Sequence, residues 1–278
     1  MRRMITRGGV VRCGETRRAA VRSAWPSAGA ATADGISALA RSAVLYGQTI
    51  APSLFYTAAG YNGTTWTGEY GPTLSLAGTG AAPTLVDAPT EAVATEDAAV
   101  RCNYSTGKHF SSTPDVASGE VSTEDIVVEV WLKPGSNGLE FVFSKRGSTT
   151  QGWFVFSSST SVTLSLRMSA TTAALGVSGL TAGAWSHIAF AVDRSSATGM
   201  YACVNGVLRV SYVDPTALTT ITSSVPVFIG AANGSGSYCS GDVALAALYK
   251  APAGWLDASD KNAFASWALA RYNAAMGV

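Results

Sequence analysis

An all-β antiparallel sandwich is the architecture this sequence predicts, and three observations predict it. Short runs of alternating apolar and polar residues follow one another through the middle of the chain, separated by turn residues. Asn205-Gly206 stands between two β-rich runs, the strongest short-range hairpin signal, because a two-residue type I′ turn needs positive φ at both positions. Helical spacing is confined to two short stretches near the ends of the 278 residues.

Taken in order, Ile36, Leu39, Ala43 and Tyr46 follow helical spacing, with Asp34 as N-cap and Gly47 as stop, so a short linker helix is expected there. From Ile50 onward, LFYTA, the loop GYNGTTWTGEYGP and TLSLAG read as strands and turns, and Pro83 and Pro89 flank a further short element. Ile126, Val128, Val130 and Leu132 form one face of a strand whose other face carries Val127, Glu129 and Trp131, ended by Lys133-Pro134-Gly135. LEFVFSK and GWFVFSS follow, joined by a polar turn from Arg146 to Gln151. Val162, Leu164, Leu166 and Met168 then alternate with Thr163, Ser165, Arg167 and Ser169, a strand with one buried and one wet face. The stretch 180–210 reads as two strands and the Asn205-Gly206 hairpin, and VPVFIGA and DVALAALYK add two more strands around the Gly/Ser-rich loop 233–241. At the end, Asp257 or Ser259 can cap a helix with Phe264, Trp267, Ala268 and Arg271 near one stripe and Gly277 beyond it.

Charged residues make up only 13% of the chain, which suits a neutral sheet-rich body. The net charge of +1 conceals an uneven distribution. Residues 1–44 hold Arg2, Arg3, Arg7, Arg12, Arg17, Arg18, Arg22 and Arg41 against Glu15 and Asp34, a net +6, and the rest carries −5. The division expected is a basic arm with its linker helix over 1–44 and a sandwich with a C-terminal helix over 45–278. Such asymmetry suits an arm that meets an acidic partner. Arg and Gly interrupt every short apolar run of the arm, so no secretory signal is expected, and no apolar run is long enough for a membrane-spanning helix.

Several phrases, in order, resemble the laminin-G-like, concanavalin A-like jelly-roll family: EDIVVEVWLKPG at 124–135, FVFSKRG at 141–147, LTAGAWSHIAFAVDRS, YACVNGV, and VFIGAANGSGSYCSGDVALAALY. Upstream, Trp66 and Gly71 also stand where that family's first strands place them. The resemblance covers about residues 50–275 and implies an antiparallel β-sandwich, to which the charge distribution adds an extended N-terminal arm and the helical spacing a short C-terminal helix. One such sandwich serves lectins, adhesion modules, hydrolases and virion proteins, so it implies fold more than function.

Candidate chemistry is sparse. A glycosidase needs two carboxylates flanking a cleft, and Glu129 is the only acid within the strand 126–132, with Glu124 and Asp125 just before it. The family's glucanases carry an E-x-D-x(x)-E strand that this chain lacks, so no enzyme is expected. His187 lies mid-strand and reads as a structural histidine, and His109 reads as a surface residue. Asp193 and Asn205 are turn formers, Asn233 and Asp242 are isolated oxygens, and no metal or cofactor is expected. Cys203 and Cys239 might be bridged in an oxidising compartment, though isolated buried thiols are the expectation. Tyr61, Trp66, Tyr70 and Tyr238 sit in Gly/Ser/Thr-rich loops and are the candidate glycan contacts, Trp66 doubling as a packing residue. Trp131, Trp153 and Trp185 read as core.

Together these features lead to the expectation of a non-enzymatic structural or attachment protein of a phage particle, a decoration, head-fibre or tail-associated component. Its arm would anchor it to an acidic shell or tail surface of other virion proteins, while the sandwich faces outward for adhesion to glycans or for stabilisation, with self-association open. Nucleic-acid contact by the arm is the less favoured use of its arginines. The alternative is a free carbohydrate-binding module.

Overall fold

The nine residues Asp125–Lys133 are buried at every position but the last, and this strand, β9, runs through the centre of the fold. A computed structural model describes residues 39, 43–87, 98–102, 107–114, 116–135, 140–146, 151–232 and 238–276, all within the unit Ala33–Val278. The short N-terminal strands are β1 (Ala43–Leu45), β2 (Gln48–Ile50), β3 (Pro52–Thr57), β4 (Thr65–Trp66), β5 (Leu74–Ala77), β6 (Thr84–Asp87), β7 (Ala98–Arg101) and β8 (His109–Ser111). After β9 come β10 (Glu140–Arg146), β11 (Gln151–Ser157), β12 (Ser161–Met168), β13 (Thr171–Ser178), β14 (Ser186–Val192), β15 (Met200–Val204) and β16 (Val207–Val213). Strands β17 (Phe228–Ile229) and β18 (Asp242–Ala251) and helix α1 (Lys261–Met276) complete it.

Two antiparallel sheets of eight strands face each other. The first runs β16-β15-β14-β9-β18-β7-β6 with β3 also on β18, and the second runs β13-β12-β11-β10-β17-β8-β5-β4. Because side chains alternate along a strand, Ile126, Val128, Val130 and Leu132 enter the inter-sheet core while Val127 and Trp131 enter a second cluster on the far side. In β18 a bulge between Val243 and Leu245 breaks the alternation, which sends both Ala244 and Leu245 to that far side. Alanines 189, 191, 244 and 247 keep this outer face shallow, and α1 lays Phe264, Ala268 and Ala275 against it. The result is three layers: helix, first sheet, second sheet.

The expected hairpin is present. Asn205 and Gly206 have φ of 51° and 74°, and β15 pairs with β16 around them. In the second sheet, Phe143, Trp153, Val155, Leu164, Leu166, Leu175 and Val177 point into the core.

Local readings near the two helical stretches need correction. Over the described part of the expected linker helix, Ala43–Leu45 is a strand that pairs with β2. Tyr46 and Gly47 both have positive φ, 50° and 75°, so the residues read as helix body and stop instead form a two-residue hairpin turn. Leu39, Ala43 and Leu45 are buried in the helix-side cluster, and this burial overrides the weak helical spacing. At α1 the cap is Asp260, whose carboxylate accepts the Ala263 N–H at 3.4 Å. Asp257 is occupied instead by the Ser259 N–H and hydroxyl at 2.8 and 2.5 Å. Trp185 precedes β14 and is only half-buried.

Candidate functional site

Glu129, in the middle of the central strand, is sealed between the first sheet and α1. Its Oε1 accepts the Arg271 Nε–H at 2.6 Å and faces His187 Nε2 at 3.0 Å, and its Oε2 accepts the Tyr249 hydroxyl at 3.2 Å. Burial alone raises the pKa of this carboxyl, but the Arg271 guanidinium, aided by His187, outweighs burial and holds it at about 2. Trp131 stacks on Tyr272 at 5.8 Å, and its ring centroid lies 5.1 Å from that of His187. Glu129 and His187 therefore tie β9 and β14 to the helix, with no path to a substrate. Asp125 is the first residue of β9, and its carboxylate accepts the N–H groups of Arg194, Gly254 and Leu256 at 2.8–2.9 Å. Both acids are structural by geometry.

Of the four aromatics expected to touch glycans, two are core residues. Trp66 is fully buried and donates its indole N–H to the Thr57 carbonyl at 2.6 Å. Tyr61, only 8% exposed, donates to the Pro83 carbonyl at 2.8 Å and meets Phe110 edge-on at 5.4 Å. Their loop folds inward because a buried aromatic whose polar tip finds a backbone carbonyl gains apolar burial without an unpaired donor. Tyr70 is 41% exposed, and Tyr238 is half-buried with its ring stacked on His109 at 5.7 Å. His109, read from sequence as a surface residue, is buried in β8, where burial lowers its pKa. The arginines of the arm, Arg2 to Arg22, lie outside the described residues.

The outer face of the second sheet carries a site that the loop-based reading missed. Phe141 pairs with Phe156 across β10 and β11, and Phe154 lies on the same face, with the three ring centroids 5.3–6.0 Å apart. Arg146 and Arg167 extend over Phe154, at 4.6 and 5.5 Å from its centroid. With Ser165, Thr172 and Ala174 they line a groove of about 380 Å³, and no carboxylate is among its lining residues. That volume falls within the range of about 300–1,000 Å³ usual for small-ligand sites. For Phe154 and Phe156 the signal was present in the sequence, since they alternate with Trp153 and Val155, but Phe141 shares the parity of the core residue Phe143 and reaches the outer face only through the bulge between them.

A second cleft of about 390 Å³ opens at the rim between Arg101, Lys133, Ser240 and Asp242. Its charges are already paired, since Asp242 accepts Arg101 at 2.8 and 3.0 Å and lies 3.7 Å from Lys133. Of the other oxygens weighed for a metal, Asp193 binds the Ser195 N–H at 2.9 Å, Asn205 accepts the His187 N–H at 2.8 Å, and Asn233 lies outside the described residues. Cys203 and Cys239 are not bridged: they are free thiols on opposite sides of the first sheet, Cys203 under the helix and Cys239 in the inter-sheet core near Cys102. Burial pushes the Cys203 thiol up to about 12.

Residues 105–255, more than half of the chain, match the family model described as the concanavalin A-like lectin/glucanases superfamily. No curated protein sequence matches this chain. Among solved structures, it is similar to the binding domain of botulinum neurotoxin serotype G, at TM-score 0.58 and 12% identity, over 80% of this chain and 50% of that one. The binding domain of Paraclostridial mosquitocidal protein 1 gives 0.54 and 14% identity, over 79% and 52%. Domain 4 of an extracellular arabinanase from Geobacillus stearothermophilus, in complex with arabinotriose, gives 0.52 and 14%, over 80% of this chain and 98% of that one. The chain thus spans about half the length of the toxin binding domains and nearly the whole of the arabinanase domain. At these identities the likeness is one of fold.

Proposed function

Because the chain belongs to the concanavalin A-like lectin/glucanases superfamily, we propose that it is a non-enzymatic carbohydrate-binding module that attaches a larger particle to glycans. The observation that carries this reading is the open outer face of the second sheet, where Phe141 and Phe156 are half-buried beside the two arginines. Flat apolar rings flanked by a few convergent donors are what a sugar needs, since its C–H face packs on the ring and its hydroxyls bond the rim. The arabinotriose held by the similar arabinanase domain supports a saccharide as the ligand class. Glycoside hydrolysis needs a carboxylate pair across the ligand, and Glu129, the strand acid, is sealed under α1.

In this proposal the basic arm, residues 1–44, is the anchor. Its eight arginines engage an acidic surface of neighbouring proteins in a phage particle, as a decoration, head-fibre or tail-associated component, and the sandwich is displayed outward. Deleting residues 1–34 tests the division of labour. The shortened chain is expected to bind glycans on an array as the full chain does and to stop co-sedimenting with particles. Unchanged co-sedimentation sinks the anchoring role, and a full chain that binds nothing on a broad array sinks the carbohydrate role.

A further inference from the structure

Arg146 and Arg167 flank Gly152, which pairs with both of them across β10, β11 and β12. Gly152 has a φ of 120°, and a Cβ there would stand 2.1 Å from the Lys145 carbonyl oxygen, so the backbone at the base of this pair admits no side chain. Both guanidinium groups are drawn over one ring, that of Phe154, which brings two like charges together. Burial, and then the charge of Arg167, press Arg146 below the ordinary guanidinium range. The Nε atoms of both are shut from solvent without a hydrogen-bond partner among the described residues.

Arg194 and Arg209 share the unpartnered Nε, but among the described residues only Arg146 and Arg167 converge on one ring, and several other cations meet a carboxylate. Arg101, Lys145 and Arg271 pair with Asp242, Glu120 and Glu129. Among the described residues no ion pair serves Arg146 or Arg167, and the adjoining loop 147–150 is Gly-Ser-Thr-Thr, without an acid. A charge held partly out of water without a counter-ion is costly, and an anion seated between the two would relieve both the desolvation and the mutual repulsion. The arginine-rich arm of this chain has the wrong sign to fill that role.

We propose that this face selects a carboxylate-bearing saccharide, with a sugar ring on Phe141 and Phe156 and its carboxylate between Arg146 and Arg167. The inference rests on the carbohydrate-binding reading and adds the ligand's charge to it. The planar guanidinium fork matches a carboxylate in two parallel hydrogen bonds, so the pair reads the acid group while the phenylalanines read the ring.

The test is calorimetric titration of the full chain with two acidic oligosaccharides, one of hexuronate and one ending in sialic acid, each beside its methyl ester. Esterification removes the charge and keeps the ring. At least one acid form is expected to bind about tenfold or more tighter than its ester, with the advantage shrinking as salt rises. The pair Arg146→Gln and Arg167→Gln is expected to erase that advantage, weakening the acid form about tenfold more than the ester, whereas Phe156→Ala weakens both forms alike. Circular dichroism of each variant checks that the sandwich is intact. If esters bind as well as acids, the carboxylate assignment is overturned and the carbohydrate reading stands. If neither form binds at this face, both fall. If polyglutamate binds as tightly as the acid oligosaccharides and the esters not at all, the occupant is an acidic peptide and the proposal is overturned.

Discussion

Arg271 and Arg146 both lie over aromatic rings, 5.4 Å from the centroid of Trp267 and 4.6 Å from that of Phe154, on the outer faces of opposite sheets. Under the helix, Arg271 meets a carboxylate that also engages His187 and Tyr249, and the layer closes over all four residues. On the open face the same arrangement of cation and ring has no carboxylate among the described residues, and nothing described covers it. Satisfied polar groups under cover hold a fold together, whereas desolvated charges left unmatched at a surface are sites for something else. Residue type alone does not separate the two roles; partnering and cover do.

The comparison can be broken most forcefully from the closed side. Glu129→Gln leaves Arg271 buried without its counter-charge, and urea denaturation should show a loss of about 3–5 kcal/mol. A loss below 1 kcal/mol would mean that the layer is open to water.

The pH dependence comes next. The carboxyl of Glu129 is held at about 2 against an ordinary 4.5, so its stabilising effect is fully present above about 4.5 and is lost as pH falls toward 2. Wild type should lose about 3 kcal/mol more than Glu129→Gln over that window, read as the difference between their denaturation midpoints at each pH.

The smallest effect belongs to the open face. Arg146→Gln with Arg167→Gln should move stability by no more than about 0.5 kcal/mol, because the contacts with the Phe154 ring that are lost are offset by relief of the repulsion between the two charges. A loss of several kcal/mol would make the second face structural like the first.

Much of the fold was legible without coordinates. The alternation over 126–132 and 162–168 and the Asn205-Gly206 turn are local signals set by the two-residue period of a strand and by backbone sterics, and the structure carries each of them. The Tyr46-Gly47 turn was not legible, since helical spacing among small residues is a weak preference that burial under α1 overrode. Strand β13 was passed over because Thr172, Ala174 and Gly176, between its inward Ala173, Leu175 and Val177, give a faint pattern.

The site was less legible than the scaffold. Loop composition pointed to Tyr61 and Trp66, yet both found backbone carbonyls and went inside. Whether an aromatic in a glycine-rich loop points in or out depends on a partner distant in sequence or on another strand.

By itself the sequence determined the central strands, the Asn205-Gly206 hairpin, the basic charge of residues 1–44 and the absence of a glucanase acid strand, because these follow from neighbours within a few residues. Only the tertiary structure decided which outer face of the sandwich is closed. Glu129 and Arg271 are 142 residues apart and become a pair only when α1 lies across β9. Arg146 and Arg167 become neighbours only through the register of three strands. Cover and charge pairing are long-range properties, and they separate a structural arginine from one available to a ligand.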